Sequence, residues 1–404
     1  MRSKRIIAVL LCAVIPLGTT VLMPGVPVTL SAEAATVIDS VTCGKDLTWQ
    51  LDSSGTLTVS GTGDMDADLD RNPCPWNEYS DEIKAVIIGK GVTSIGMGMF
   101  DECNNLTSLS LPSTLKVISS YSFTNCKSLE SVVIPNGVTS IGSSSFAGCK
   151  KLSNVTVPAS LTNIGALAFS GTPWFEAQKS IDDPFIIING LLVYVYYDLS
   201  GDVVFPSAVN KICDQAAERR SKITSLTIPE TVTEIGFNAF LSCSSLKTVT
   251  IPASVKEIKQ QAFYKCASLE EIYILDPECN ICDNWATTIS NTDDDFSGVI
   301  KGYKGSTAEK FAEKFGYTFK ALAQLGDVNS DDYINAVDAS SVLAYYALIS
   351  TDQKGGYNEE QKLAADVNHD GLINAVDASC ILSYYAYIST ATEDVMPIEE
   401  FLKK

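Results

Sequence analysis

Residues 106–129 read LTSLSLPSTLKVISSYSFTNCKSL, and the next copy starts on the shared Leu129 and runs to Leu152 as LESVVIPNGVTSIGSSSFAGCKKL, a step of 23 residues. Phe100, Phe123, Phe146 and Phe169 keep that step, as do Ile95, Ile118, Ile141 and Ile164, Cys103, Cys126 and Cys149, and Pro112, Pro135 and Pro158. The phase resumes in Ile212, Ile235 and Ile258, in Pro206, Pro229 and Pro252, and in the pairs Phe240 with Phe263 and Cys243 with Cys266. Several independent positions on one period mark an internal repeat. Within a unit, Leu109 and Leu111 flank a polar residue, the pattern of a short strand with one buried face, and Pro112 stops its ladder. Val138 and Ile141 return to the core, and the phenylalanine fills the far side of the coil. No unit can bury its apolar side alone, so units must stack into a solenoid whose strands lie about 4.8 Å apart. The expected class is mainly β, a solenoid of 23-residue repeats with a small helical domain at the C-terminus. The cysteine column reads as buried thiols facing loop backbone rather than as disulfides.

The 404 residues suffice for two domains, and 46% hydrophobic with 19% charged residues exclude wholesale disorder. The formal net charge of −19 repels phosphate backbones, which excludes nucleic acid as a partner, while acid clusters suit hard cations. A single histidine, His369, removes most chemistry built on Ser-His-Asp, Cys-His or multi-histidine zinc. Arg2, Lys4 and Arg5 precede an apolar run from Ile6 to Ile15, and Ala32-Glu33-Ala34-Ala35 follows. That is a basic region, an apolar region and a small-residue cleavage site, so residues 1–34 are expected to be a signal peptide and the protein to be secreted and extracellular. A membrane anchor is the other reading, but Pro16, Gly18 and Pro24 interrupt the run. No membrane span is expected after cleavage. Twelve cysteines less Cys12 leave eleven, so at least one is unpaired within the chain.

Two stretches depart from the period. Phe240 lies 71 residues after Phe169 instead of 69, and the intervening segment 171–202 contains apolar runs around Asn189-Gly190 that read as two strands and a turn. It is either an irregular repeat packed on the solenoid or a ligand-binding insertion. In the following unit Ala217 and Arg220 stand where Phe and Cys are expected. Cys279 and Cys282 have metal-ligand spacing without a second pair nearby, which leaves zinc, repeat-edge thiols or a local redox pair open.

The recurring I-P, A-F and C-x-x-L elements resemble the BspA-like leucine-rich repeats of bacterial surface and secreted proteins. The resemblance implies a solenoid over residues 83–320. Cys43-Gly44, Trp49, the glycine-rich run 55–63 and Pro75-Trp76 look like that family's N-terminal capping hairpin, placed at residues 35–82. Residues 302–309 with Phe311-Ala312 look like its C-terminal cap, placed at 300–320. Caps of this kind shield the ends of a stack.

The C-terminal region repeats a different unit. Residues 327–338 read Asp-Val-Asn-Ser-Asp-Asp-Tyr-Ile-Asn-Ala-Val-Asp, and residues 366–377 read Asp-Val-Asn-His-Asp-Gly-Leu-Ile-Asn-Ala-Val-Asp, an offset of 39. Positions 1, 3, 5, 9 and 12 carry Asp327, Asn329, Asp331, Asn335 and Asp338, then Asp366, Asn368, Asp370, Asn374 and Asp377. Position 7, Tyr333 and Leu372, supplies a backbone carbonyl. Oxygen donors alternating along a twelve-residue loop wrap one Ca²⁺, so two ions are expected. Ile334 and Ile373 should point inward, and position 6 needs φ > 0, which Asp332 tolerates less well than Gly371. His369, at a non-ligand position, reads as a solvated loop residue. An apolar helical pattern follows each loop, and neither loop is expected to follow an entering helix.

This loop–helix duplication looks like a type I-like dockerin covering residues 325–391, followed by a tail, 392–404. The resemblance implies a cohesin domain of a cellulosome scaffoldin as partner, recognised through the pairs Ala336-Val337 and Ala375-Val376. The reading is a secreted, non-catalytic binding module whose solenoid holds a protein or glycan ligand and whose dockerin attaches it, with calcium, to a cellulosome engaged in polysaccharide degradation. The alternatives are a cellulosomal enzyme of the glycoside hydrolase kind, which needs two carboxylates about 5–9.5 Å apart in a cleft, and an adhesin.

Overall fold

The computed structural model describes residues 36–65, 74–283, 287–293, 295–391 and 395–402. The expected signal peptide, residues 1–34 with Cys12, lies outside them. The chain divides into two compact units, residues 1–180 and 181–404.

The first unit opens with three antiparallel strands, Val37–Gly44, Leu47–Asp52 and Thr56–Gly61. The third passes into parallel pairing with Ala85–Ile88, which pairs in turn with Ser108–Ser110. A second ladder runs through Gly63–Asp64, Val92–Ile95, Val117–Ile118, Ser140–Ile141 and Asn163–Ile164, all parallel. Each coil thus lends one short strand to each of two ladders, and the register equals the repeat, with Ile118 beside Ile141 and Ile141 beside Ile164. Corners between strands place Tyr121, Ser144 and Leu167 at φ between 55° and 60°, and Glu102 and Asn125 at 57° and 58°.

An aromatic column fills this coil. Trp76, Phe100, Phe123, Phe146 and Phe169 stack with ring centres 5.1–5.4 Å apart. Trp49 meets one end edge-on at 5.7 Å and Trp174 the other at 5.0 Å. The four phenylalanines are fully buried, each worth roughly 1.5–3 kcal/mol against exposure. Beside them the cysteines are thiols. Cys126 Sγ donates to Phe100 O and Cys149 Sγ to Phe123 O, both at 3.1 Å. A short helix α1 (Pro173–Glu176), capped by Thr172 Oγ1, buries Phe175 near the end of the unit.

The second unit begins with a hairpin, Phe185–Ile188 against Leu191–Val195, turning at Asn189 (φ 52°) and Gly190 (φ 80°). Leu191–Val195 then starts a parallel ladder through Lys211–Ile212, Glu234–Ile235, Glu257–Ile258 and Asn280–Ile281. The other ladder contains Gly201–Val204, Ile223–Thr227, Thr248–Ile251, Glu271–Ile274, Val299–Gly302 and Thr318–Ala321. Here the two non-consensus residues find substitutes. Phe205 stacks on Phe240 at 6.2 Å, occupying the column that Ala217 leaves open. Arg220 Nε donates to Val195 O at 2.6 Å, as Cys243 Sγ donates to Ala217 O at 3.2 Å, so an arginine takes over the cysteine's bond to the preceding coil. Helix α2 (Thr307–Phe315) lies over the last coil with Ala308, Phe311 and Ala312 buried, started by Ser306 and stopped by left-handed Gly316.

Four helices complete this unit: α3 (Ala336–Ile349), α4 (Glu359–Ala365), α5 (Ala375–Thr390) and α6 (Ile398–Phe401). Val328, Ile334, Val342, Val367, Ile381 and Tyr384 form their common core. The second loop does follow a helix, contrary to expectation, since α4 ends on Asp366. Asn358 and Gln361 close a reciprocal capping box at its start, and Glu-Glu-Gln-Lys-Leu-Ala-Ala propagates it. The tail is packed where it is described: Tyr384 Oη donates to Met396 O at 3.0 Å, and Phe401 stacks on Tyr387 at 5.1 Å.

Candidate functional site

The two acidic loops fold alike, bond for bond. In the first, Asp327 accepts from the amides of Asp331 (3.1 Å) and Asp332 (2.9 Å); in the second, Asp366 accepts from Asp370 (3.2 Å) and Gly371 (3.0 Å). Asp331 Oδ1 takes the Tyr333 amide and Asp370 Oδ1 the Leu372 amide. The last aspartate bridges both loop ends: Asp338 accepts from Val328 and Asn335, Asp377 from Val367 and Asn374. Asn335 and Asn374 then cap α3 and α5 by accepting from Val337 and Val376, each at 2.7 Å. One carboxylate therefore ends the loop and, as the third helical residue, starts the helix.

Sequence dictates this shape only in part. Asp332 adopts φ 67° and Gly371 φ 79°, so the aspartate does hold the left-handed conformation. Ser330 and His369 are also left-handed, at 59° and 57°, a turn that their residue types did not announce. Ile334 is buried and Ile373 half-buried against the shared core. His369 is half-buried rather than solvated.

Burial is the main electrostatic influence on the loop carboxylates. Burial, with Asp377 and Asp370 adding to it, pushes the Asp366 carboxyl up to about 6. Burial likewise raises Asp327 and Asp377. Such shifts report carboxylates crowded together and short of positive charge. Asn329, Asn335 and the Tyr333 carbonyl add neutral oxygens to the first loop; Asn368, Asn374 and the Leu372 carbonyl do so in the second. This all-oxygen set fits a hard divalent cation such as Ca²⁺. Among the described residues no three His, Cys, Asp or Glu side chains gather as a metal cluster. Here the loop carboxylates are turned onto backbone amides. For Cys279, burial pushes the thiol up to about 12.

Outside the loops the duplication becomes a surface. Ala336, Val337, Ala375 and Val376 are all exposed, Val337 by 60% and Val376 by 53%. Sequence reasoning missed the rest of this apolar set. Tyr333 and Leu372, Leu343 and Leu382, and Tyr346 and Tyr385 are exposed in pairs 39 residues apart. The signal was available in the offset itself. The halves differ at their far ends, where Leu348 and Ile349 on α3 are exposed while Tyr387 and Ile388 on α5 pack against the core that Phe401 and Leu402 extend. Among the described residues no helix is long and apolar enough to cross a membrane.

Two family models match regions of this chain. A family model described as the BspA type leucine-rich repeat region matches in six copies over residues 78–181 and 194–288. A second, the dockerin type I domain, matches residues 325–384. Among curated proteins none matches. Similar solved structures include a leucine-rich repeat protein from Eubacterium ventriosum, 20% identical, covering 65% of this chain and 85% of that one with a TM-score of 0.35. A leucine-rich cell surface protein from Faecalibacterium prausnitzii is 20% identical over 67% of this chain and 96% of its own, with a TM-score of 0.31. The pneumococcal vaccine antigen PcpA is 12% identical over 70% and 98%, with a TM-score of 0.30. Neither the repeat family nor the dockerin family is catalytic, and the dockerin family binds calcium and attaches to a cohesin. The chain thus carries a BspA type leucine-rich repeat region over residues 78–181 and 194–288 and a type I dockerin domain over residues 325–384.

Proposed function

We propose that the protein is a secreted, non-catalytic binding module whose solenoid holds a protein or glycan ligand and whose dockerin plugs it into a cellulosome that degrades polysaccharide. The observation that carries the attachment is the twofold loop–helix unit with its paired, exposed apolar residues. Asp327, Asn329, Asp331, the Tyr333 carbonyl, Asn335 and Asp338 would hold one Ca²⁺. Asp366, Asn368, Asp370, the Leu372 carbonyl, Asn374 and Asp377 would hold a second. Calcium would neutralise the crowded carboxylates, and because Asp338 and Asp377 also cap α3 and α5, metal binding and helix formation are coupled.

Ala336-Val337 and Ala375-Val376 would then be the two alternative anchors for a cohesin. Rotating the domain by about half a turn exchanges them together with Leu343 for Leu382 and Tyr346 for Tyr385. An apolar anchor buried at an interface centre carries most of the binding energy. The basic, apolar and small-residue pattern of residues 1–34 supports export. Titration of the full chain with cohesins, with calcium and in EDTA, tests the attachment. Binding through either valine pair, lost only when both are replaced, is the expected result. Undiminished binding in EDTA would refute it.

A further inference from the structure

Lysines in the outward row of a β-solenoid ordinarily reach water, but Lys301 is only 6% exposed. It lies in strand Val299–Gly302, in register with Tyr273 on one side and Lys320 on the other. Its Nζ is 2.8 Å from Glu271 Oε1 and 2.9 Å from Tyr273 Oη, and 4.6 Å above the centre of that tyrosine ring. A further contact comes from 59 residues along the chain, where Glu360 Oε1 stands 3.1 Å away. The same carboxylate receives Lys320 Nζ at 2.7 and 3.0 Å. Two ammonium groups and two carboxylates close a balanced cluster, and helix α4 supplies one of the carboxylates. A buried ammonium stripped of a partner is strongly unfavourable, so the solenoid's own charge calls for this helix.

The same helix leads without a break into Asp366, the first residue of the second loop. The start of the first loop is held by the same helix: Gly326 N donates to Ala364 O at 2.8 Å and Gln361 Nε2 to Val328 O at 3.5 Å.

We propose that Lys301, Lys320 and Glu360 form an interdomain clamp that seats α4 on the last strands of the solenoid and, through α4, couples the acidic loops to the solenoid. The outward face of those strands is then occupied by the chain's own helix, and ligands of the solenoid are left to the earlier coils. The clamp stands on the ion pairs alone; its coupling to calcium rests on the reading of the loops given above. By linkage, a helix held in place favours the loaded loop that it leads into, and loading favours the clamp.

The test uses the full chain and three variants, Glu360→Lys, Glu360→Gln and Lys320→Ala, with Glu359→Lys as the control on the neighbouring exposed position. Small-angle scattering in calcium should give the same radius of gyration for the native chain and Glu359→Lys, and a larger one for Glu360→Lys. Calorimetric titration with Ca²⁺ should show uptake weakened about tenfold in Glu360→Lys, the worth of a charge-assisted contact. Lys320→Ala, which removes an exposed side chain and spares folding, should fall between. Scattering curves and isotherms of both Glu360 variants that superpose on the native ones would overturn the clamp. If the native chain took up no calcium, the loop reading would fail instead, and scattering alone would decide the clamp.

Discussion

Solenoid and dockerin are both made by repetition, and they turn the repeated residues in opposite directions. The solenoid points its repeated positions inward: Phe100, Phe123, Phe146 and Phe169 stack on one another between Trp76 and Trp174, and the cysteines beside them bond to backbone. The dockerin points much of its repeat outward, with Tyr333 and Leu372, and Val337 and Val376, exposed in pairs. A period is therefore evidence of stacking in one region and of a duplicated recognition surface in the other. Burial, not repetition, tells them apart.

Removing calcium should separate the two regions most sharply. In EDTA the dockerin helices should melt while the solenoid keeps its own transition, seen as loss of helical circular dichroism with β signal retained. The inward thiols give the next largest contrast. Burial pushes Cys103 and Cys243 up to about 12 from an ordinary 9.0. Thiolate appears only as pH rises toward the shifted value, so at pH 8 its fraction, and the alkylation rate, should be about a thousandfold lower than for an exposed cysteine. Labelling with iodoacetamide in native and denaturing buffer, read by peptide mass, checks this.

Phe146→Ala opens a hole in the middle of the aromatic column and should cost about 3–5 kcal/mol in denaturant unfolding, with calcium uptake untouched. Replacing Val337 and Val376 together by Asp should do the converse, lowering cohesin affinity at least about a hundredfold, some 2.7 kcal/mol, with no change in melting temperature. A stability loss from the valine pair, or a binding loss from the phenylalanine, would erase the contrast. The smallest effect belongs to Asp332→Gly. Relief of a left-handed aspartate should stabilise the calcium-loaded dockerin by about 1 kcal/mol, measured by thermal denaturation.

What the sequence discloses follows the same division. The phenylalanine, cysteine and proline columns are legible because each is a side chain with one physical use per coil. The left-handed corners are not, since Tyr121, Leu167 and Glu102 occupy them instead of glycine and stacking against neighbouring coils holds them there. Nor could sequence reveal that Phe205 would fill the gap at Ala217, because the two lie on different parts of the coil. In the dockerin, oxygen-bearing residues at fixed loop positions are plain to read. Helix α4 escaped notice because its capping residues, Asn358 and Gln361, precede only seven helical residues, too few to show an apolar period. Periodicity marks Leu343 and Leu382 as apolar without saying that they are exposed, since it does not show which neighbour covers a residue.

The central claim is that this chain is attached to its partner by a calcium-organised, duplicated surface. Titrating the full chain first with Ca²⁺ and then with a panel of cohesins tests it most directly. The account predicts uptake of two ions, followed by one-to-one cohesin binding that EDTA abolishes and that survives replacement of either valine alone. Cohesin binding that persists in EDTA, or a chain that takes up no calcium at all, would contradict it.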